Sequence, residues 1–171
     1  PRRRRIAEVH SSELPDHIPT LLNFYELVGA SVEFSLDVKD PSAAAEVIAC
    51  ARDASAESQL WLCHPSREVL CGWRALSSDV NLVESTRAAR FESSPELHIA
   101  RSAEMGVDVL NLHYSDWTGG LIAMVHRFEL LAFGWDAQFE RILDELLDAG
   151  IDGVYSDHVD VMMSALTKAS S

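Results

Sequence analysis

Paired cysteine is missing from this sequence. Its three cysteines, Cys50, Cys63 and Cys71, are an odd number with no CxxC among them. They give neither a disulfide framework nor a zinc site, and reduced, mostly buried thiols are expected. Long apolar runs are missing too, since none approaches the roughly 20 residues of a membrane span, and no transmembrane segment is expected. Basic residues are scarce: 14 Lys and Arg stand against 27 Asp and Glu, a net charge of −13. A broad contact with a phosphate backbone needs a basic stripe, so nucleic acid is not an expected partner. No GxGxxG or P-loop follows any apolar run, which weakens a nucleotide-binding reading. The opening PRRRR has no apolar stretch behind it, so no signal peptide is read there and a cytoplasmic location is expected.

What is present is a regular alternation. Apolar, β-branched or aromatic runs occur at 31–38, 59–64, 80–85, 107–114, 130–135 and 152–157. Helical periodicity fills the stretches between them. In 136–149, Phe139, Ile142, Leu143, Leu146 and Leu147 fall on one helical face, and Gly150 is placed to end the helix. Asp40 with Pro41, and Ser94 with Pro95, read as N-cap and first-turn pairs. With 47% hydrophobic residues in 171, the chain can bury a core, and residues 1–171 are read as one domain.

Six strand-then-helix cycles with continuous rather than alternating apolar strands point to a parallel sheet covered by helices. A doubly wound open sheet and part of a (β/α)8 barrel both fit. The barrel is preferred, although a full one has eight strands and about 250 residues. Both architectures gather ligands at the carboxyl ends of the strands. The residues there are Asp37, Lys39, His64, Glu84, His113, Tyr114, Trp135, Asp136, Ser156 and Asp157. Asp157 precedes an apolar stretch and reads first as a helix cap.

At this point the residues carry a resemblance. The segment LLAFGWDAQFERILDELLDAGIDGVYSDHVDVM resembles the C-terminal part of glycerophosphodiester phosphodiesterases. There a strand ending Ala-Trp-Thr-Val-Asn leads through a helix to Gly-Val-Asp-Gly-Ile-Ile-Thr-Asp. IPTLLNFYEL, FSLDVKDP and REVLCGWRAL follow the family's order further upstream. The resemblance implies an α/β TIM-type barrel that hydrolyses glycerophosphodiesters to an alcohol and glycerol 3-phosphate with Mg2+ or Ca2+. The family's His-Arg-Gly, Glu-Xaa-Asp and His-Asp segments, which supply its acid/base histidines and most metal ligands, do not occur here. The expectation is therefore an incomplete barrel of six βα units, N-terminally truncated relative to the family, and inactive alone. Self-association through exposed barrel edges is expected with it.

Residue by residue, the resemblance makes Asp37 a metal ligand, with Asp standing where the family has Glu. It makes Lys39 the phosphate-contacting lysine and Trp135 a wall on the glycerol side. Positions 37 and 39 also share one side of a strand by simple alternation, and an ordinary ion pair would look the same in sequence. Asp136 and Gln138 replace the family's Thr and Asn, and Val159 replaces its proline. His64 and His113 end strands but have no partner that spacing reveals. Two other classes stay open: a degenerate barrel that binds phosphate ligands without chemistry, and an unrelated barrel enzyme sharing only the fold.

Overall fold

The six apolar runs pair side by side, each parallel to the one before it. The computed structural model describes residues 8–15 and 17–169. Strands β1 (Phe34–Asp37), β2 (Leu60–His64), β3 (Asn81–Thr86), β4 (Val109–His113), β5 (Leu131–Trp135) and β6 (Gly153–Val154) form one sheet in sequence order. All five pairings are parallel. Helices α1 (Leu21–Val28), α2 (Ala44–Asp53), α3 (Arg67–Arg74), α4 (Pro95–Glu104), α5 (Gly119–Arg127), α6 (Glu140–Asp148) and α7 (Val159–Ala169) flank and follow the strands.

The sheet is curled. β1 and β6 are its two edges, yet the Ser35 hydroxyl on β1 lies 2.8 Å from the Tyr155 hydroxyl just beyond β6. Lower in the interior, Trp61 of β2 and Phe133 of β5 have ring centroids 5.4 Å apart. Side chains at opposite ends of a flat six-stranded sheet could not touch in this way, because adjacent strands stand about 4.8 Å apart. The result is an incomplete α/β barrel of six βα units, as the alternation predicts.

Strand alternation sorts the side chains into two environments. Leu60, Leu62, Leu82, Leu110, Leu112 and Ala132 face outward, and all are fully buried beneath the helices. They divide into two apolar clusters, one under α1–α3 and one under α4–α7. Each such leucine contributes roughly 2 kcal/mol by leaving water. The inward cluster is small: Cys63, Val83 and Val109, with Trp61 and Phe133 against them.

Two aspartates tie the lower ends of the strands together by the same device. Asp108, before β4, accepts the Leu82 N–H of β3 at 2.7 Å and holds the Arg74 guanidinium. Asp152, before β6, accepts the Ala132 N–H of β5 at 2.7 Å and also binds His126. The Asp-Gly that opens the last strand is thus a structural clamp. Gly153 beside it is needed for space, because a Cβ there would stand 2.8 Å from the Phe133 ring.

Several expected boundaries shift. The last strand covers two residues rather than six. The helix foreseen over 136–149 begins at Glu140, so Phe139 is its N-cap and stands 67% exposed rather than on the buried face. Ile142, Leu143 and Leu146 do form that face, and Gly150 follows with φ +90°. Ser94 caps α4 through the Leu97 N–H as foreseen. Asp40 accepts the Ser42 N–H at the head of a short 3-10 turn that leads into α2.

Glu84, a strand-end candidate, points outward and is 2% exposed. Its carboxylate receives the Ser102 hydroxyl at 2.6 Å, pairs with His98 Nε2 at 2.9 Å, and has the Arg67 Nε at 3.7 Å. It docks α3 and α4 onto β3 and takes no part in the rim. Removing one member of such a buried network leaves a charge without its partner, at a cost of about 3–5 kcal/mol. Glu84→Ala is therefore expected to lower unfolding stability by about that amount in urea melts, while surface Glu104→Ala stays within about 0.5 kcal/mol.

Candidate functional site

The carboxyl ends of the strands open on a cavity of about 520 Å³. Ser35, Asp37 and Lys39 line it from β1, with Cys63 and Pro65 from β2. Ser85 and Arg90 come from β3 and the turn after it, Asn111 from β4, Trp135 from β5, and Tyr155 from the end of β6. The three residues singled out by resemblance, Asp37, Lys39 and Trp135, thus share one cavity although nearly 100 positions separate the first from the last. Parallel pairing brings them together, since each helix returns the chain to the same starting level.

Lys39 and Asp37 are ion-paired at the mouth, with side chains 82% and 57% exposed. A pair this open is a weak contributor to stability, because water competes for both charges. Its members are correspondingly free to exchange each other for a ligand. Arg90 reaches the same mouth from the turn after β3, and it makes no ion pair among the described residues. Two cations and one carboxylate therefore line the one opening.

Trp135 is a fixed wall. Its Nε1–H points at the Thr86 carbonyl at 3.4 Å, and the His113 ring packs edge-on against it at 4.6 Å. The Arg87 guanidinium lies 5.9 Å from the indole centroid, within reach of a cation–π contact. Arg87 is itself held by both oxygens of Asp116, at 2.6 and 3.0 Å. That bidentate hydrogen bonding keeps the Asp116 carboxyl below the usual carboxylate range and the guanidinium above its own.

The floor is polar but mostly self-satisfied. The Ser35 hydroxyl contacts both the Tyr155 hydroxyl and the Cys63 thiol, the latter at 3.3 Å. Burial pushes the Tyr155 phenol well above its ordinary value, with the nearby Cys63 adding to the rise. Burial likewise raises the Cys63 thiol, although its two hydroxyl neighbours oppose the shift. A thiol held protonated is a poor nucleophile, so Cys63 belongs to the packing of the floor. Deeper still, Asn111 donates to the Ser85 hydroxyl at 3.1 Å.

The remaining strand-end candidates lie apart from this cavity. His64 faces outward, accepts the Ser66 N–H at 3.0 Å and packs against Trp73. His113 accepts the Ser115 N–H on Nδ1 and pairs with Asp136 through Nε2 at 3.2 Å. Both its nitrogens are engaged, and its role here is to brace Trp135. Asp157 is corrected from helix cap to loop tie: its carboxylate accepts from Gln138 at 3.0 Å, and Ser156 Oγ takes the His158 N–H instead. A larger depression of about 620 Å³ lies beyond Trp135 and Tyr155, lined by Asp136 and Asp157 among others. It carries two carboxylates and no cation, which does not suit a phosphate.

The donor set does not fit the expected divalent cation. Mg2+ or Ca2+ asks for several oxygen ligands, commonly more than one carboxylate. Among the described residues Asp37 is the one carboxylate lining this cavity, and it is paired with Lys39. Among the described residues no group of three or more His, Cys, Asp and Glu side chains is placed to hold a metal ion.

Sequence reasoning did not single out Arg90, Tyr155, Ser35, Ser85 or Asn111. The last three had a readable signal, being polar residues at inward positions of otherwise apolar strands. Arg90 had none, because its place is set by the short turn that carries it.

No protein-family model and no curated protein matches the chain. Solved structures do. A candidate glycerophosphodiester phosphodiesterase from Galdieria sulphuraria superposes with TM-score 0.78 at 14% identity, covering 99% of this chain and 73% of its own. A glycerophosphodiester phosphodiesterase from Agrobacterium tumefaciens gives TM-score 0.64 at 17% identity, covering 86% of this chain and 62% of that one. An Oleispira antarctica phosphodiesterase, in complex with the product sn-glycerol-3-phosphate, gives 0.65 at 18%, with coverages of 87% and 61%. The fold of this chain is thus that of glycerophosphodiester phosphodiesterases. The chain spans between half and three quarters of the length of these and a further related structure. Among the described residues no helix is long and apolar enough to cross a membrane.

The raised Tyr155 phenol generates a pH prediction. A phenol whose folded value lies above its unfolded one stabilises the fold fully below the unfolded value of about 10 and progressively less above it. Urea melts of the wild type and Tyr155→Phe should therefore converge in stability between pH 8 and pH 11, the wild type losing more. Parallel profiles would show that burial of the Tyr155 phenol carries no such linkage.

Proposed function

We propose that this chain forms the ligand-holding part of a glycerophosphodiester phosphodiesterase-type barrel, binding the phosphoryl group and glycerol arm of a glycerophosphodiester at the cavity mouth. The observation that carries the reading is the meeting of Lys39, Arg90 and Trp135 around one opening at the carboxyl ends of the strands. An ammonium and a guanidinium are the two side chains best suited to phosphoryl oxygens, the first as a point charge and the second as a fork of donors. On binding, the phosphoryl oxygens replace Asp37 as the partner of Lys39. Trp135 offers an apolar wall for the carbon chain, and its fixed position limits the ordering cost of binding.

Hydrolysis is a separate matter. Cleaving a phosphodiester needs a group to transfer protons to and from the attacking and leaving oxygens, within hydrogen-bond reach. Among the described residues no histidine lines this cavity, and the one carboxylate that does is ion-paired. The residues that line it bind and orient; by themselves they provide neither the proton transfers nor a metal-activated water. The function proposed for this chain alone is therefore binding without turnover.

Calorimetric titration with glycerol 3-phosphate tests the reading. Saturable binding is expected, with Lys39→Ala and Arg90→Ala each weakening it about tenfold or more, in keeping with hydrogen bonds to charged groups. Adding Mg2+ or Ca2+ is expected to leave the affinity unchanged, and glycerophosphocholine is expected to release no glycerol 3-phosphate with either ion. Turnover abolished by Asp37→Ala would overturn the assignment of binding alone.

A further inference from the structure

Arg90 contributes to the mouth although its own side chain is not tied there. It is exposed, lines the cavity and makes no ion pair among the described residues. Its place is therefore set by the backbone that carries it, the 3-10 turn Ala88–Arg90. A few residues of 3-10 helix are weak by themselves, because their hydrogen bonds are few and poorly aligned. This turn closes through the Arg90 N–H to the Arg87 carbonyl at 2.9 Å and the Phe91 N–H to the Ala88 carbonyl at 3.1 Å. Contacts from outside must do the rest.

Asp116 supplies them at the leading end. It completes the short turn Tyr114–Asp116 after β4, and its side chain is 12% exposed. Its carboxylate accepts from Arg87 Nε and Nη2 and also from the Ala88 N–H at 3.1 Å. Three donors converge on one largely buried carboxylate, two of them in the fork of a guanidinium. That is a directional tie rather than a loose surface pair. At the trailing end the Phe91 ring stacks on His98, with centroids 3.8 Å apart and planes 16° from parallel. His98 is 4% exposed and bonded to Glu84, so this second anchor is set in the packed core.

The same segment also meets Trp135. The Thr86 carbonyl faces its indole N–H at 3.4 Å, and the Arg87 guanidinium lies 5.9 Å from its ring centroid. Wall and cation thus depend on one continuous stretch, residues 86–91. Asp116 is not among the residues lining the cavity or the depression beside it. Its influence on the mouth therefore runs through residues that are.

We propose that Asp116 is a positioning residue for the mouth: by clamping Arg87 and Ala88 it fixes where Arg90 and Trp135 stand relative to one another. What Arg90 then does rests on the phosphate-binding reading of the cavity, whereas the clamp itself does not. A cation presented on an ordered turn gives up less freedom on binding than one on a mobile loop.

Two measurements on the full chain test the clamp. The first needs no ligand: heteronuclear NMR of the indole N–H groups, with the Trp135 signal identified by its loss in Trp135→Phe. Asp116→Ala is expected to displace the Trp135 signal and to leave those of Trp61 in β2 and Trp73 in α3 in place, which shows the barrel intact. The second is calorimetry with glycerol 3-phosphate. Asp116→Ala is expected to weaken binding about three- to tenfold. In an Arg90→Ala background the further loss should fall below about twofold, because the two residues act as one unit. If Asp116→Ala does not fold, Arg87→Ala removes the same ion pair from its more exposed side and is carried through the same calorimetric cycle. An unmoved Trp135 signal, or an undiminished loss in the Arg90→Ala background, overturns the clamp and leaves the phosphate reading standing. Failure of the wild type to bind glycerol 3-phosphate overturns the phosphate reading, and the indole measurement then decides the clamp.

Discussion

Parallel pairing is the constraint from which the site follows. Each strand must be re-entered from the same end, so each needs a crossover, and the helices supply it. All carboxyl ends then face one way. Curling the sheet turns that shared edge into a mouth, and the curl is visible where Ser35 and Tyr155 meet across the gap between the outermost strands. Had the chain stayed flat, Lys39 and Trp135 would lie at nearly opposite ends of a sheet six strands wide. Curled, they line one opening of about 520 Å³. The position of a functional residue here is thus mostly a property of the sheet, and only secondarily of its own neighbours in sequence.

The same geometry assigns opposite duties to neighbouring residues on a strand. Glu84 and Ser85 are adjacent, yet the first is locked under α3 and α4 with His98, Ser102 and Arg67, while the second faces the cavity. His113 and Trp135 sit level in the β4–β5 register, one bracing and the other lining. Even the Asp-Gly step before β6, which closely matches the phosphodiesterase pattern, proves to be architecture. Asp152 secures the β5 backbone and Gly153 yields room to Phe133. A motif shared with an enzyme family can be retained for the barrel rather than for its chemistry.

Much of this was legible in the sequence, for identifiable reasons. Continuous apolar runs with helices between them announce a parallel sheet, because a strand buried on both faces needs no polar alternation. Asp37, Lys39 and Trp135 were readable because strand ends are where such folds place ligands. Boundaries were less so. Phe139 continues the apolar spacing of α6 backwards, but the helix starts after it, and periodicity cannot show where hydrogen bonding begins. Asp157 has the look of a cap, yet Gln138 reaches its carboxylate from a loop 19 residues earlier, a contact that no local pattern encodes. Arg90 enters the mouth by the path of a three-residue turn.

The metal question shows where resemblance and physical chemistry part. The family resemblance would make Asp37 a metal ligand, and a carboxylate oxygen is the right kind of atom for a hard cation. Coordination, however, is a property of a set. One exposed carboxylate beside an ammonium has its charge already compensated, and a divalent cation arriving there would meet Lys39 at close range. An anion meets the reverse: two cations at the mouth, one loosely held by Asp37 and the other without an ion pair among the described residues. The same side chains that make a poor cation site are of the kinds that suit the phosphate ligand proposed for this mouth. The preference follows from the sign of the mouth and needs no appeal to the family at all.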